Sequence, residues 1–366
     1  MINKLGFGFL RLPKVEETLD WELINQLVDA YMAGGGNFFD TFCTYLKGNS
    51  ELAIKKCLVE RKPRDSFRLC DKLPGYNCKS YEDCQAYFDA ALEKCGVEWF
   101  DRLLLHWMNE KHYAIAEEID EFRFLREKKA AGLAKEIGFS FHGSAELLDK
   151  ILTDHPEVDV VLMQLNYLDW ESEGIQSRKS YEVCLRHGKK VMVMEPVKGG
   201  TLASLPEEAE QLLKACHPNW TPADWALRFV QSLPGVEVCL SGMNTLEQVS
   251  ANIRPFEPLN DREQTLLKQA AQIILRNTAV GCTGCGYCVS HCPKGIPIPQ
   301  YFSLYNEVSR YAKDGWKIKP TYQRIALSAG KASDCISCHS CEKHCPQNLP
   351  IPEYMKAVAQ QFESEG

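Results

Sequence analysis

Cys282-Thr-Gly-Cys285-Gly-Tyr-Cys288-Val-Ser-His-Cys292-Pro293 and Cys335-Ile-Ser-Cys338-His-Ser-Cys341-Glu-Lys-His-Cys345-Pro346 stand near the end of the chain and share one spacing, C-x2-C-x2-C-x3-C-P. Three thiolates set so closely wrap one [4Fe–4S] cubane, and the fourth, three residues further on and followed by proline, reaches the neighbouring one. The predicted ligand sets are therefore crossed. Cluster I takes Cys282, Cys285, Cys288 and Cys345, and cluster II takes Cys335, Cys338, Cys341 and Cys292. Structural zinc prefers two pairs of ligands across a loop and has no use for a third cysteine two residues on. Disulfides need an oxidising compartment, and no secretory signal segment is visible. Electrons are thus expected to pass through this part of the chain one at a time.

The 366 residues are 45% hydrophobic and 25% charged, enough for one large domain with its own core and a small one. Of the 17 cysteines, the nine outside the two runs are scattered through apolar stretches, as small hydrophobes in a reducing cytoplasm would be. Cys43 is read as such a bystander. A cytoplasmic, oxygen-poor setting is expected. No apolar run reaches the roughly 18 residues that a membrane span needs. Residues 277–366 carry nine Lys/Arg against seven Asp/Glu, and residues 1–276 carry 33 against 42. Neither part has the basic stripe that nucleic acid requires, so no nucleic-acid partner is expected.

Upstream of the cysteines, apolar runs alternate with longer amphipathic stretches. The strand-like runs are 5–9, 37–42, 67–72, 102–107, 135–141, 158–166, 190–195 and 236–242. Several are apolar throughout, as parallel strands buried on both faces are. Helical patterns lie between them, among them 17–33, 81–94, 115–131 and 145–152. Eight strand–helix units in about 250 residues predict a (β/α)8 TIM barrel over 1–260. A doubly wound sheet fits less well, because no early G-x-G-x-x-G turn is present. A helical linker is expected over 261–280. Over 281–366 the two C-P-x-x-x-P-I-P segments look like a duplicated loop feeding a helix. With helices near 300–311 and 321–329 and a Gly–Trp turn at 315–316, this predicts a small all-helical two-cluster domain of ferredoxin type.

Barrel active sites form at the C-terminal ends of the strands. Four polar residues fall there in succession: Asp40 and Tyr45 in Asp40-Thr-Phe-Cys-Thr-Tyr45, Lys72 in Leu69-Cys-Asp-Lys72, and His106 in Leu103-Leu-Leu-His106. Each alone has a bland explanation as a cap, a surface ion pair or a packed histidine. Four at the same end of successive strands are harder to dismiss. Alkoxide formed by hydride transfer to a carbonyl needs a nearby proton donor. A phenol is a poor acid at neutral pH, but an adjacent ammonium lowers its pKa. Lys72 is expected to do this for Tyr45, with Asp40 holding Lys72 and His106 orienting the substrate oxygen or relaying the proton.

In these residues, and over 1–260, the sequence resembles the aldo-keto reductase family, a (β/α)8 barrel with an Asp–Tyr–Lys–His tetrad. Gly6-Phe-Gly8-Phe-Leu-Arg11, Gly138-Phe-Ser140, Gln164-Leu-Asn166-Tyr167 and Ser241-Gly242-Met243 agree with it. With the cysteine domain, the resemblance is to an iron–sulfur subfamily. It implies cofactor contacts from Gly8, Arg11, Ser140, Gln164, Asn166 and Met194, and from Gly242, Met243, Asn244, Gln248 and Asn252, where a helix N-terminus can receive phosphate. Phe141 stands where the family commonly has Asn for the carboxamide. Gly242 and Gln248 replace the Lys and Arg of NADPH-preferring members. The cofactor therefore stays open between NAD(P)H and a flavin.

A nicotinamide gives two electrons as hydride, whereas each cluster takes one. Three functions follow. The first is NAD(P)H-dependent reduction of a small carbonyl or activated alkene, with Tyr45 as proton donor. The second is a flavin- or ferredoxin-linked reductase whose clusters feed a barrel-bound flavin or the substrate, with ferredoxin or flavodoxin as redox partner. The third is a non-catalytic redox-sensing or relay module.

Overall fold

Eight parallel strands close on themselves in the computed structural model, which describes residues 3–172, 175–310 and 315–364. They are β1 (Leu5–Gly8), β2 (Phe38–Asp40), β3 (Arg68–Leu73), β4 (Phe100–Met108), β5 (Ala134–Phe141), β6 (Val160–Gln164), β7 (Lys190–Met194) and β8 (Val236–Ser241). Each pairs with its neighbour in sequence, and β8 returns to β1 with Leu5 beside Cys239. All eight apolar runs lie on these strands. Their apolar character follows from burial on both faces. Phe38, Cys70, Leu104, Val160, Leu162, Met192, Val238 and Leu240 pack together as one buried cluster contributed by six strands, filling the barrel as layered side chains do.

Two helices differ from the periodicity. The first begins at Trp21, where the Leu23 N–H donates to Asp20 Oδ1 at 3.0 Å, and runs to Ala33. The residues before it form an antiparallel hairpin of Lys14–Val15 and Thr18–Leu19. Asp20, with a short side chain that reaches back to the backbone, ends the hairpin and starts the helix. The pattern at 115–131 is two helices, Glu110–Glu118 and Glu121–Ala130, broken where Asp120 adopts a left-handed backbone at φ 61°.

The N-terminal end of the barrel holds a charged network. Arg102, 1% exposed, donates through Nε to Glu136 Oε2 at 2.6 Å and through Nη2 to Glu237. Arg68 adds a contact to Glu237 at 3.3 Å, and Lys190 one to Glu136. The five strands involved are β3, β4, β5, β7 and β8, so the network ties the rim together.

A second compact unit gathers residues 197–223 and 261–366, the first holding 1–196 and 224–260. Within the second, the helix Glu207–Cys216 packs on the helix Asp261–Arg276. Lys198 is buried, with Nζ donating to Gln347 Oε1 at 3.2 Å. Gly199, at φ 63°, lies so near Thr283 that a Cβ would stand 1.9 Å from its carbonyl oxygen. The cysteine region repeats itself with an offset of 53 residues. The helices Ile298–Arg310 and Ile351–Glu363 match in position and length, 13 residues each. Left-handed backbone recurs in step: Gly284, Gly286 and Gly295 in one copy, Ser337, His339 and Asn348 in the other. The expected turn at 315–316 opens a helix instead, Gly315–Ala326, with Pro320 inside it. Ile318 and Tyr322 bury themselves in the core of this unit, and that packing outweighs the backbone bond that proline forgoes. The helix expected over 300–311 ends at Arg310, and residue 311 lies outside the described residues.

Arg102→Ala strands two carboxylates at the barrel rim. Because these keep partial exposure, a loss of about 3 kcal/mol or less is expected, read as a lowered urea midpoint under exclusion of oxygen. An unchanged midpoint would contradict a structural role for the network.

Candidate active site and cluster ligands

β2 ends at Asp40 and β3 carries Lys72, one residue before its end, so the two side chains reach the same end of neighbouring strands. Lys72 Nζ donates to Asp40 Oδ1 and to the Thr41 carbonyl, both at 2.7 Å, and neither residue is more than 3% exposed. Thr41 is itself held by Ser50, whose Oγ lies 2.6 Å from Thr41 Oγ1 and donates to the Phe9 carbonyl. Burial works against the Lys72 ammonium, but the Asp40 carboxylate more than restores it, leaving the pKa above the ordinary lysine value. Tyr45 opens a tight turn, Tyr45–Gly48, with its ring centroid 5.2 Å from Lys72 Nζ.

His106 lies on the adjacent strand, β4. Its ring stacks on Phe42 at 3.9 Å, and Phe42 meets Tyr45 edge-on at 5.3 Å. The structure therefore brings Asp40, Tyr45, Lys72 and His106 into one constellation, with Phe42 as a wedge between the two rings. Phe42 was overlooked in the sequence although it lies inside the hexapeptide that supplies Asp40 and Tyr45. Burial, then Lys72, His142 and His112, push the His106 pKa well below that of free histidine. Its Nδ1 has no hydrogen-bond partner among the described residues. Tyr76 completes the wall, 5.8 Å from the His106 ring and stacked on His112 at 4.9 Å.

One expectation fails. Lys72 was to lower the Tyr45 pKa, whereas burial, followed by the Asp40 charge, pushes it well above the usual phenol value. The Lys72 charge is offset by Asp40 at contact distance, so at the phenol it does not overcome burial and the Asp40 charge. That direction keeps the Tyr45 phenol protonated at physiological pH.

The candidate cofactor residues divide. Ser140 Oγ accepts the Trp107 N–H at 2.7 Å. Gln164 Nε2 and Asn166 Nδ2 both donate to Asp169 Oδ2 at 2.8 Å, and Asn166 Oδ1 accepts the backbone N–H groups of Leu168 and Asp169. Asp169, unmarked in the sequence, thus organises the loop after β6. Met194 ends β7 and packs against the barrel core. Gly8 ends β1 beside Asp40. A Cβ on Gly242 would come 3.1 Å from the Arg11 Cβ, which puts Arg11 over the end of β8. Met243 is fully buried and faces the core. Asn244 and Gln248 are exposed, their backbone N–H groups donating to Gln248 Oε1 and Thr245 Oγ1, around the start of the short helix Leu246–Asn252. Asn252 Nδ2 donates to Ser241 Oγ at 3.4 Å.

In the second unit, Cys282, Cys285, Cys288 and Cys345 line one cavity, and Cys292, Cys335, Cys338 and Cys341 line another. The grouping has the crossed pattern of the spacing. His291 and His344, each just before the fourth cysteine of its run, stack at 3.4 Å and join the two copies. Left-handed residues flank Cys285 and Cys338 alike, and the Gly284 N–H donates to Cys282 Sγ at 3.4 Å. Four soft thiols around each cavity fit a [4Fe–4S] cubane.

A family model described as the aldo/keto reductase family matches residues 4–272. The chain belongs to that family. A second, the 4Fe-4S dicluster domain, matches residues 281–349. An NADH-specific methylglyoxal reductase of Escherichia coli is 23% identical over 325 residues, covering 75% of this chain and 96% of its own. An aldo-keto reductase of Mycobacterium avium is 24% identical, with 69% and 80% covered. Among solved structures, the holo form of a Bacillus halodurans aldo-keto reductase aligns at a TM-score of 0.60 and 22% identity, covering 73% of this chain and 91% of its own. A Klebsiella pneumoniae aldo/keto reductase in complex with NADP and acetate aligns at 0.61 and 18%, covering 73% and 90%. The barrel is thus that of an oxidoreductase of aldo-keto reductase type, followed by an iron–sulfur domain. No helix among the described residues is long and apolar enough to cross a membrane.

His142 gives a pH test of the site's electrostatics. Burial, then His112, push its pKa down to about 4. A histidine depressed by folding contributes stability that is complete above its unfolded pKa of about 6.5 and is lost as pH falls towards the folded value. The stability of wild type relative to His142→Gln is therefore expected to be constant above about pH 7 and to shrink from there to about pH 5, in urea denaturation. A difference that widens on acidification would contradict a neutral, half-buried ring.

Proposed function

We propose that the barrel reduces a small carbonyl compound, or an alkene activated by one, with a bound nicotinamide as hydride source and Tyr45 as proton donor. The observation that carries this reading is the buried Lys72–Asp40 ion pair at 2.7 Å beside the Tyr45 ring. A bound NADH or NADPH supplies the hydride. Tyr45, kept protonated by burial and by Asp40, gives its proton to the alkoxide oxygen, a far stronger base. The phenolate left behind has the Lys72 ammonium 5.2 Å from its ring centroid, which offsets part of the cost that burial and Asp40 set on it. Asp40 and the Thr41 carbonyl keep Lys72 from swinging away. His106, neutral, can offer an N–H to the substrate oxygen without adding a second positive charge. Gly8, Arg11, Ser140, Gln164, Asn166, Met194, Gly242, Met243, Asn244, Gln248 and Asn252 are the residues proposed to frame the cofactor. For the buried or internally bonded ones the role is shaping the wall, while Arg11, Asn244 and Gln248 are exposed and suit the phosphates. Small 2-oxoaldehydes, of the kind named for the Escherichia coli relative, are the substrates to try first.

The second unit is proposed to hold two [4Fe–4S] clusters on the crossed ligand sets and to exchange single electrons with a ferredoxin or flavodoxin. A second reading, in which the clusters feed a barrel-bound flavin, draws support from the internal bonds of Ser140, Gln164 and Asn166, which leave those side chains less to offer a nicotinamide.

Tyr45→Phe is expected to lower kcat for carbonyl reduction by about 10²–10⁴-fold with nicotinamide affinity retained. Full NAD(P)H-dependent turnover in this variant would remove Tyr45 from the mechanism. Flavin released on denaturing protein kept from oxygen would favour the second reading over the first. Cys285→Ser is expected to lower iron from about eight towards about four per chain and to loosen the second unit, since the binding energy of the metal is part of its folding energy. Unchanged iron would rule that ligand out.

A further inference from the structure

Cys78, Cys84 and Glu121 meet inside the first unit without any part in the chemistry above. Cys78 follows the turn Gly75–Asn77 after β3, Cys84 lies in the first turn of the helix Tyr81–Cys95, and Glu121 opens the helix Glu121–Ala130. Their sulfur and carboxylate oxygen atoms all lie within 4.8 Å of one another. Exposure is 5%, 0% and 2%. Three separate elements therefore converge on one dry point with two thiols and an acid.

Glu121 is the anomaly. Its Oε1 is buried with no hydrogen-bond partner among the described residues. Burial alone pushes its carboxyl up to about 7. An acid sealed away from water is costly unless something compensates it. The room it occupies is kept by a missing side chain, since a Cβ on Gly75 would stand 2.1 Å from Oε1. A carboxyl packed only for shape would be better replaced by an apolar group.

We propose that Cys78, Cys84 and Glu121 form a second metal site, for a zinc-class divalent cation, that clamps the loop after β3 to the two helices. Two soft thiolates and one carboxylate are a donor set zinc accepts. Tetrahedral zinc, with Zn–S near 2.3 Å and Zn–O near 2.1 Å, sets such atoms ~3.6–3.8 Å apart, inside the 4.8 Å that bounds them here, and leaves its fourth position to a water that the cation brings with it. Binding releases the two thiol protons and leaves the Glu121 carboxylate ionised, so the buried charge gains the partner it lacks. A disulfide between Cys78 and Cys84 would leave Glu121 as it is, whereas the cation accounts for all three groups. The clamp also has a consequence for the candidate active site. Tyr76, inside the clamped turn, is the ring stacked on His112 and tilted over His106.

The test uses the full chain purified without oxygen, dialysed against zinc and then freed of excess, with zinc and iron measured together. About one zinc per chain is expected at full iron content, so that occupation of the cluster thiols is excluded. Cys84→Ser and the near-isosteric Glu121→Gln are each expected to weaken zinc retention more than about tenfold at unchanged iron, since even outer-shell changes cost that much. Wild-type protein that holds full iron and no zinc overturns the proposal. So does zinc retained equally by both variants, or an intact mass showing Cys78 and Cys84 joined as a disulfide. Should Cys84→Ser lose its iron through misfolding, the wild-type stoichiometry and Glu121→Gln decide the question.

Discussion

The contact between Lys72 and Asp40 is the constraint on which the candidate active site depends. A lysine 2% exposed at the mouth of a barrel persists as a cation only because a carboxylate and a carbonyl oxygen each lie 2.7 Å away. Breaking a buried pair by removing one partner leaves an uncompensated charge, at a cost of roughly 3–5 kcal/mol. That cost fixes the two strand ends relative to one another. Thr41 contributes twice, through its carbonyl to Lys72 and through its hydroxyl to Ser50, which in turn reaches the Phe9 carbonyl at the end of β1. Three consecutive strands are thereby held in register beside Tyr45 and His106.

The pair also decides what Tyr45 can be. Had the ammonium stood unpaired, it would have acidified the phenol. Neutralised by Asp40, it lets burial dominate, and Tyr45 stays protonated. For the proposed reduction this is the useful state, because a proton donor must hold its proton when hydride arrives. The phenolate that forms afterwards is costly, and the fixed Lys72 ammonium offsets part of that cost without moving at the moment of reaction. The neutrality of His106 belongs to the same arrangement, since Lys72 is among the charges that keep a proton off its ring.

Strand placement, the barrel and the grouping of Asp40, Tyr45, Lys72 and His106 were legible because each leaves a local mark. Buried parallel strands read as apolar runs, and a polar residue closing such a run is conspicuous. The cysteine spacing was equally plain. What the sequence hid was non-local or context-bound. Arg102, Glu136 and Glu237 are ordinary charges in the chain and become one network only when the barrel closes. Asp169 gains its importance from two amides that fold back onto it. The 53-residue duplication was visible in its C-P-x-x-x-P-I-P ends, but not in its backbone. Gly284 and Gly286 announce left-handed positions, while Ser337 and His339 occupy the equivalent ones without a glycine to signal them. The sign of the Tyr45 shift needed distances, because it turns on whether Lys72 is closer to the phenol or to the carboxylate.

The protonation of Tyr45 is open to direct observation. With tyrosine labelled at the ring carbon that bears the hydroxyl, the Tyr45 resonance, assigned through Tyr45→Phe, can be followed by NMR against pH in the wild type and in Asp40→Asn. The phenol is predicted to stay protonated beyond the ordinary tyrosine pKa of about 10 in the wild type, and to ionise at lower pH once the Asp40 charge is gone. A wild-type phenol that ionises below about 10, or a titration that ignores Asp40→Asn, would contradict the coupling of Asp40, Lys72 and Tyr45.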